Sequence, residues 1–293
     1  MVEWTRTLNL VKSTEMGKKM KKIVSTGTKG GVGKSTFAIL LAFKLSKQGK
    51  KVVLCDSDVE CPNDYLLTNT QLEKPDKVFK NFPVLVKDRC TKCGLCAKNC
   101  KYNAIFFAKN KYPVFIHDIC SSCEVCKIVC PRDAINMEKR IVGEVFTNRI
   151  NDNFWLVTGV SKPRILDIVP VVREAKEKAL QLAERKKADY LVIDSAPGTH
   201  CNVVEAIIDS DKAYAVTEPT PLGSHDLRLI MELAKTLGIE KEIVLNKANI
   251  GDRKEIDKIA REFNTKVSFE IPYSEGLVNA YCNKNLEKVV DLL

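Results

Sequence analysis

The stretch Gly27-Thr28-Lys29-Gly30-Gly31-Val32-Gly33-Lys34-Ser35-Thr36 constrains the fold of this chain more than any other. An apolar run, Lys22 to Ser25, leads into it, and a helix-like run, Ser35 to Lys47, leaves it. Strand, glycine-rich turn, then helix is the context of a phosphate loop. Glycines let backbone amides turn inward around phosphate oxygens without Cβ clashes. The helix start adds unpaired N–H groups and the positive end of its dipole. Residues Gly30, Gly31, Val32, Gly33, Lys34, Ser35 and Thr36 are the expected cradle. Lys34 is placed to reach the β- and γ-phosphates of a nucleotide, and Ser35 to hold Mg²⁺. The competing reading, a chance glycine-rich turn, does not explain why Gly-Lys-Ser-Thr falls at the strand-to-helix junction.

Further strands alternate with helical patterns, which predicts an α/β fold: a doubly wound, mostly parallel sheet with helices on both faces. Lys51 to Leu54 reads as a strand that delivers Cys55-Asp56-Ser57-Asp58. Ala188 to Ile193 reads as a buried strand ending at Asp194, which is expected to hold Mg²⁺ through water. Carboxylates at the ends of parallel strands face the phosphate crevice. Pro197-Gly198 follows Asp194 as a second mobile turn. Three more strands are expected at Ala213–Val216, Ile243–Lys247 and Val267–Ile271.

A second pattern interrupts this one. Residues 71–82 read as a polar linker. A repeat with a period of 30 residues then aligns Cys90, Cys93, Cys96 and Cys100 with Cys120, Cys123, Cys126 and Cys130. Each half is C-x₂-C-x₂-C-x₃-C, the spacing of bacterial two-cluster ferredoxins. Three cysteines so close can wrap one cubane, and the fourth crosses to the other. The expected [4Fe–4S] ligand sets are Cys90, Cys93, Cys96 with Cys130, and Cys120, Cys123, Cys126 with Cys100. Zinc is the rival, since paired C-x₂-C units can form a Cys₄ site, but it would use the third and fourth cysteines unevenly. The expected organisation is an extension over 1–19, a nucleotide-binding body over 20–82 and 141–293, and an inserted two-cluster ferredoxin domain over 83–140. Of the other cysteines, Cys55 and Cys282 are expected to be structural.

Lys29, directly before Gly30-Gly31, gives the loop the deviant form that resembles the ATPases of the MinD, ParA and nitrogenase iron protein group. The resemblance spans residues 20–285. It implies Mg-ATP binding and slow hydrolysis in a homodimer with ATP at the interface, where Lys29 reaches the ATP of the other subunit. It also implies that Asp58 positions the attacking water, that Asp56 supports it and the Mg²⁺ shell, that Asn246 reads adenine and that Pro272-Tyr273 pack against the base. His225 falls in a loop that this group places at the dimer face. Thr28 departs from the usual glycine, so either the turn needs no positive φ there or it is reshaped. Cys201 stands where the nitrogenase iron protein has a bridging-cluster ligand. The second ligand that such a cluster needs is missing, so a structural thiol is expected, with a thiol facing the insert as the alternative.

The chain carries 47 Lys and Arg against 37 Asp and Glu, a net charge of +10. The lysines are spread along the chain and are expected to cover a solvated surface or to meet an acidic redox partner. No apolar run reaches membrane-spanning length. Neither a secretory leader nor a disulfide pattern is evident, so reduced thiols and a cytoplasmic location are expected. The favoured reading is an ATPase coupled to electron transfer through two clusters, passing electrons to a redox or iron–sulfur acceptor protein. An ATP-dependent iron–sulfur carrier is the alternative. A ParA-like DNA-binding role, motivated by the charge, is the least favoured.

Overall fold

The structure, a computed structural model, describes residues 19–293, so the expected extension lies outside the described residues except for Lys19. In chain order the strands are β1 (Lys21–Thr26), β2 (Val52–Asp56), β3 (Asp76–Leu85), β4 (Ile105–Phe106), β5 (Val114–Phe115), β6 (Ile135–Arg149), β7 (Phe154–Ser161), β8 (Tyr190–Asp194), β9 (Lys212–Thr217), β10 (Glu240–Asn246) and β11 (Val267–Ile271). Nine of them form one sheet in the order β11-β10-β9-β1-β8-β2-β7-β6-β3. From β11 to β7 every pairing is parallel, whereas β6 and β3 add antiparallel.

The expected α/β architecture holds, for a simple reason. Side chains alternate between the faces of a strand, and helices cover both faces here. On β2 and β8, Val53, Cys55, Leu191 and Ile193 face one core, shared with Val171, Val172 and Ala175 of α5 (Val169–Lys186). Their neighbours Leu54 and Val192 face the other core, shared with Phe37, Leu40 and Leu41 of α1 (Lys34–Lys47). Strands buried on both faces read as continuous apolar runs. The last turns, Leu286–Leu292, pack Leu286 and Val290 into the α1 core.

The linker reading of 71–82 is overturned from Asp76 onward. Residues 76–85 form β3, which pairs with β6 from Asp76↔Val145 to Leu85↔Ile135. Val78, Lys80 and Phe82 point inward in strict alternation. The boundaries expected at 82/83 and 140/141 therefore fall inside paired strands. β6 pairs with β7 only from Gly143 to Arg149, so its earlier half and β3 from Phe79 onward run past β7 as a two-stranded stalk.

The cysteine-rich segment sits at the end of that stalk. It contains the β4–β5 ribbon and the single-turn helices α3 (Leu95–Lys98) and α4 (Val125–Ile128). Lys80, nearly buried on the stalk, pairs with Asp167 at 2.6 Å, and Leu166 N–H donates to the Asp118 carbonyl at 3.3 Å. These contacts tie the segment to the β7–α5 connection.

Candidate functional site

The sheet brings three functional strands side by side. β1 lies between β8 and β9, and β2 lies on the far side of β8. Ser25 is level with Asp194, and Asp194 with Asp56. The loop after β1 thus opens directly beside two buried carboxylates. Gly31 and Gly33 take positive φ, 80° and 100°, and a Cβ on Gly33 would lie 2.4 Å from Asn246 Nδ2. That position requires glycine. Thr28 is not among the positive-φ residues, so the turn makes no such demand there and the departure is harmless.

A cleft of about 1010 Å³ follows the loop. Its walls include Gly30, Gly31, Gly33, Lys34, Ser35 and Thr36, with Asp58 and Pro197 at one end. Val32 packs beneath it, and its carbonyl accepts from Asn246 Nδ2 at 2.9 Å. Asn246 is therefore committed to the loop through its nitrogen, while its buried Oδ1 has no partner. At the far end Tyr273 of the expected Pro272-Tyr273 pair lines the cleft while Pro272 does not, and Val278 and Tyr281 of α8 (Glu275–Cys282) join it. Nothing in the sequence pattern of α8 separates a ligand wall from an exposed helix face.

Both loop lysines are held inside the chain. Lys34 Nζ donates to the Lys29 carbonyl at 3.0 Å. Burial pushes the Lys34 ammonium below its ordinary range, against the pull of Asp194 and Asp58. Lys29 Nζ lies 2.7 Å from Glu218 Oε1, and Lys247 Nζ lies 2.9 Å from Glu218 Oε2. Burial alone would raise the Glu218 carboxyl, but hydrogen bonds from the two lysines outweigh it and hold the group low.

Beneath the loop three buried carboxylates converge. Asp56, Asp64 and Asp194 each offer an oxygen, all within 4.8 Å of one another. Asp56 accepts backbone N–H groups from Asp58, Asn63 and Asp64 at 3.2, 3.0 and 3.1 Å. It folds the turn that carries Asp58. Asp64, at the start of α2 (Asp64–Leu67), was missed from sequence. It lies eight residues past Asp56 in a stretch that reads as an ordinary turn, and both its oxygens are buried without a partner. Asp194 accepts from Ser35 and leaves Oδ1 unpartnered. Burial raises the Asp194 carboxyl to about 7, with Ser35 and Lys34 opposing and Asp58 adding to the rise. Asp56 and Asp64 are raised by the same burial, then by neighbouring carboxylates. Asp58, half-buried in the cleft, is raised by burial, while the Cys61 N–H and Lys34 work against it. Unpartnered carboxylate oxygens beside Ser35 fit a hard divalent cation such as Mg²⁺.

The cysteines gather as two sets. Cys90, Cys93, Cys96 and Cys130 line one cavity. Cys100, Cys120, Cys123 and Cys126 line another. Each cavity takes three thiols from one repeat and one from the other, the grouping expected from spacing. Backbone amides point at the sulfurs in matched pairs: Lys92 N and Ser122 N at 3.4 Å from Cys90 and Cys120, Ala104 N at 3.3 Å from Cys100 and Ala134 N at 3.2 Å from Cys130. Four thiols converging on one space, with N–H groups aimed at sulfur, fit an iron–sulfur cubane.

Of the remaining cysteines, Cys55 is buried as expected, but Cys282 and Cys201 are exposed and pack no core. Cys201 opens α6 (Cys201–Ile207) and lines a larger cavity of about 1810 Å³ with Cys61 and His200. Tyr102, Ile119 and Ser121 of the cysteine-rich segment form its opposite side, so Cys201 faces the insert. Asp58, Gly30 and Pro197 line both this cavity and the nucleotide cleft. His225 is exposed just past the first turn of α7 (Pro221–Thr236), beside Asp226.

Residues 23–287 match the CobQ/CobB/MinD/ParA nucleotide binding domain. The chain is 34% identical over 264 residues to the uncharacterized protein MJ0579 of Methanocaldococcus jannaschii, covering 90% of each. It is 26% identical over 231 residues to an iron–sulfur cluster carrier protein of that organism, covering 76% of this chain and 58% of that one. The septum site-determining protein MinD of Pyrococcus horikoshii, solved with Mg-ADP, has the same fold, with a TM-score of 0.55 at 16% identity over 94% of each chain.

Proposed function

The chain belongs to the CobQ/CobB/MinD/ParA nucleotide-binding family, and on that premise we propose that it binds and slowly hydrolyses Mg-ATP and couples nucleotide state to electron transfer through two [4Fe–4S] clusters. One observation carries this reading. Asp58, Gly30 and Pro197 face the nucleotide cleft on one side and, on the other, a cavity walled by Tyr102 and Ser121 from the segment that holds both cysteine sets.

The chain's own residues divide the work. Backbone amides of Gly30 to Thr36 hold the phosphates, and Lys34 leaves the Lys29 carbonyl to meet the β- and γ-oxygens. Ser35 and Asp194, with Asp64 and Asp56 behind them, would hold Mg²⁺, which neutralises developing phosphate charge when bound. Asp58 orients the attacking water from the end of the cleft. The free Oδ1 of Asn246 accepts from the adenine amino group, and Tyr273 packs against the base. Lys29 completes the site of a second copy across a homodimer interface, where it stabilises transition-state charge. The two cysteine sets would hold the clusters, which supply one-electron chemistry when present.

The partner is an acidic redox or iron–sulfur acceptor protein. Residues 86–134 carry 9 Lys and Arg against 4 Asp and Glu. Exposed Tyr102, Phe106, Tyr112 and Val114 stand among these cations, which suits a partner that is both acidic and partly apolar. Among the described residues no helix is long and apolar enough to cross a membrane, and the reading includes no membrane or nucleic-acid role.

The test is an EPR spectrum of anaerobically reconstituted, dithionite-reduced protein with and without Mg-ATP. Reduced-cluster signals that change on adding nucleotide are expected. Signals indifferent to nucleotide would count against coupling. Zinc in place of iron would undo the cluster assignment. The 26% relationship to an iron–sulfur cluster carrier favours a second reading, in which the clusters are cargo. Iron transfer to apo-aconitase on incubation would favour that reading, and retention of iron the first.

A further inference from the structure

We infer that Glu218 and Lys247 set the position of Lys29, holding it in its own subunit until a second copy brings a phosphate to replace the carboxylate. The inference rests on the reading that Lys29 acts across a dimer. It adds two positioning residues that the phosphate-loop pattern does not contain.

Glu218 follows β9 directly and is nearly buried, its side chain 8% exposed. Its two oxygens are divided: Oε1 takes Lys29 at 2.7 Å and Oε2 takes Lys247 at 2.9 Å. Lys247 comes straight after Asn246, at the tip of β10, with a positive φ of 54° that turns the chain there, and it lines the nucleotide cleft. The phosphate loop and the base end of the cleft are thus joined through one carboxylate.

To reach a second copy, Lys29 must leave Glu218. A buried carboxylate stripped of all counter-ions is strongly disfavoured. Lys247 removes that obstacle, because Oε2 keeps its ion pair when Oε1 gives up Lys29. Release then exchanges one anionic partner of Lys29 for another, carboxylate for phosphate, and leaves no bare charge behind. With Lys247 absent, Lys29 would be the sole counter-ion of Glu218 among the described residues and would be held harder.

This predicts opposite effects from two substitutions within one ion-pair triad. With Mg²⁺ and a non-hydrolysable ATP analogue, the dimer dissociation constant of the cluster-loaded chain is measured by analytical ultracentrifugation. Glu218→Gln should tighten the dimer about 5- to 10-fold, and Lys247→Met should weaken it by a similar factor. In a Lys29→Met background the effect of Glu218→Gln should vanish, because it acts through Lys29. Binding of a fluorescent ADP to the monomer, read in parallel, separates lost nucleotide affinity from lost dimerisation. A shift of both variants in the same direction, or a Glu218→Gln effect that survives without Lys29, would overturn the inference. If the wild type dimerises and Glu218→Gln leaves that unchanged, the positioning role fails and the dimer reading stands. If nucleotide binds but neither chain dimerises, the dimer reading itself is lost. Dimerisation of Glu218→Gln alone would support both.

Discussion

Asp194 is the residue in which structure and chemistry pull hardest against each other. Without metal it is a buried carboxylate beside Asp56 and Asp64, with Lys34 as the neighbouring cation that favours its charged form. Its carboxyl is raised to about 7, above the ordinary value of 3.8, so the folded chain binds more protons than the unfolded one between those pH values. Stability therefore falls as pH rises through that window. Asp194→Asn keeps an oxygen for Ser35 and removes the charge. The metal-free variant should gain about 2 kcal/mol at pH 8 and little at pH 4, measured by urea unfolding in EDTA. It should also lose Mg²⁺-dependent nucleotide affinity. A variant no more stable than wild type at pH 8 would show that the carboxylates are not strained by burial. Residues here were legible in proportion to how local their chemistry is. The phosphate loop and Asp194 announce themselves through neighbours in sequence. Asp64 and Glu218 matter only because the fold carries them to partners 130 and 189 positions away.

At the scale of elements, most of β3 falls in a stretch, 71–82, that reads as linker because it is mostly polar and charged, contains Pro75 and runs into Pro83; in the structure, too, three residues depart from a strand's usual dress. Lys80 occupies an inward position, Phe79 is 51% exposed and Pro83 lies within the strand. Each has a reason. β3 is the edge of the sheet, where proline is tolerated, and inward Lys80 meets Asp167 at 2.6 Å and lies over the Phe82 ring. An inward charge on an edge strand also blunts pairing with another chain. The two partners are unequally exposed, 7% for Lys80 and 34% for Asp167. Removing the carboxylate strands a buried cation, whereas removing the cation leaves a carboxylate that water still reaches. Asp167→Asn should therefore cost about 3 kcal/mol and Lys80→Met under about 1 kcal/mol. Chemical denaturation of both variants checks the order. Equal losses would mean that the pair is solvated and does not fix the stalk.

The whole molecule divides its stability unequally. The body has three apolar clusters that cover both faces of the sheet. The cysteine-rich segment has one small cluster, in which only Cys96, Ile105 and Ile135 are buried. About 50 residues with so few buried side chains fall below what a hydrophobic core sustains alone. On the proposed cluster reading, the two thiol-lined cavities with their matched amide–sulfur contacts would supply the missing stability, because metal binding becomes folding free energy when the site exists only in the folded state. This half was legible in outline, because cysteine spacing is local and its two halves repeat. Its attachment was not, because strand pairing across some 60 residues leaves no local mark. Chelation of iron should thus act on one part only. Hydrogen exchange in residues 86–134 should rise toward unfolded rates, while β1, β2, β8 and α1 keep their protection and a fluorescent ADP still binds. The stalk should respond in a graded way, with pairs near Leu85↔Ile135 released and those near Asp76↔Val145, backed by β7, retained. Loss of protection throughout the sheet would mean that insert and body fold as one unit. Full protection in the iron-free segment would mean that its backbone hydrogen bonds suffice without metal.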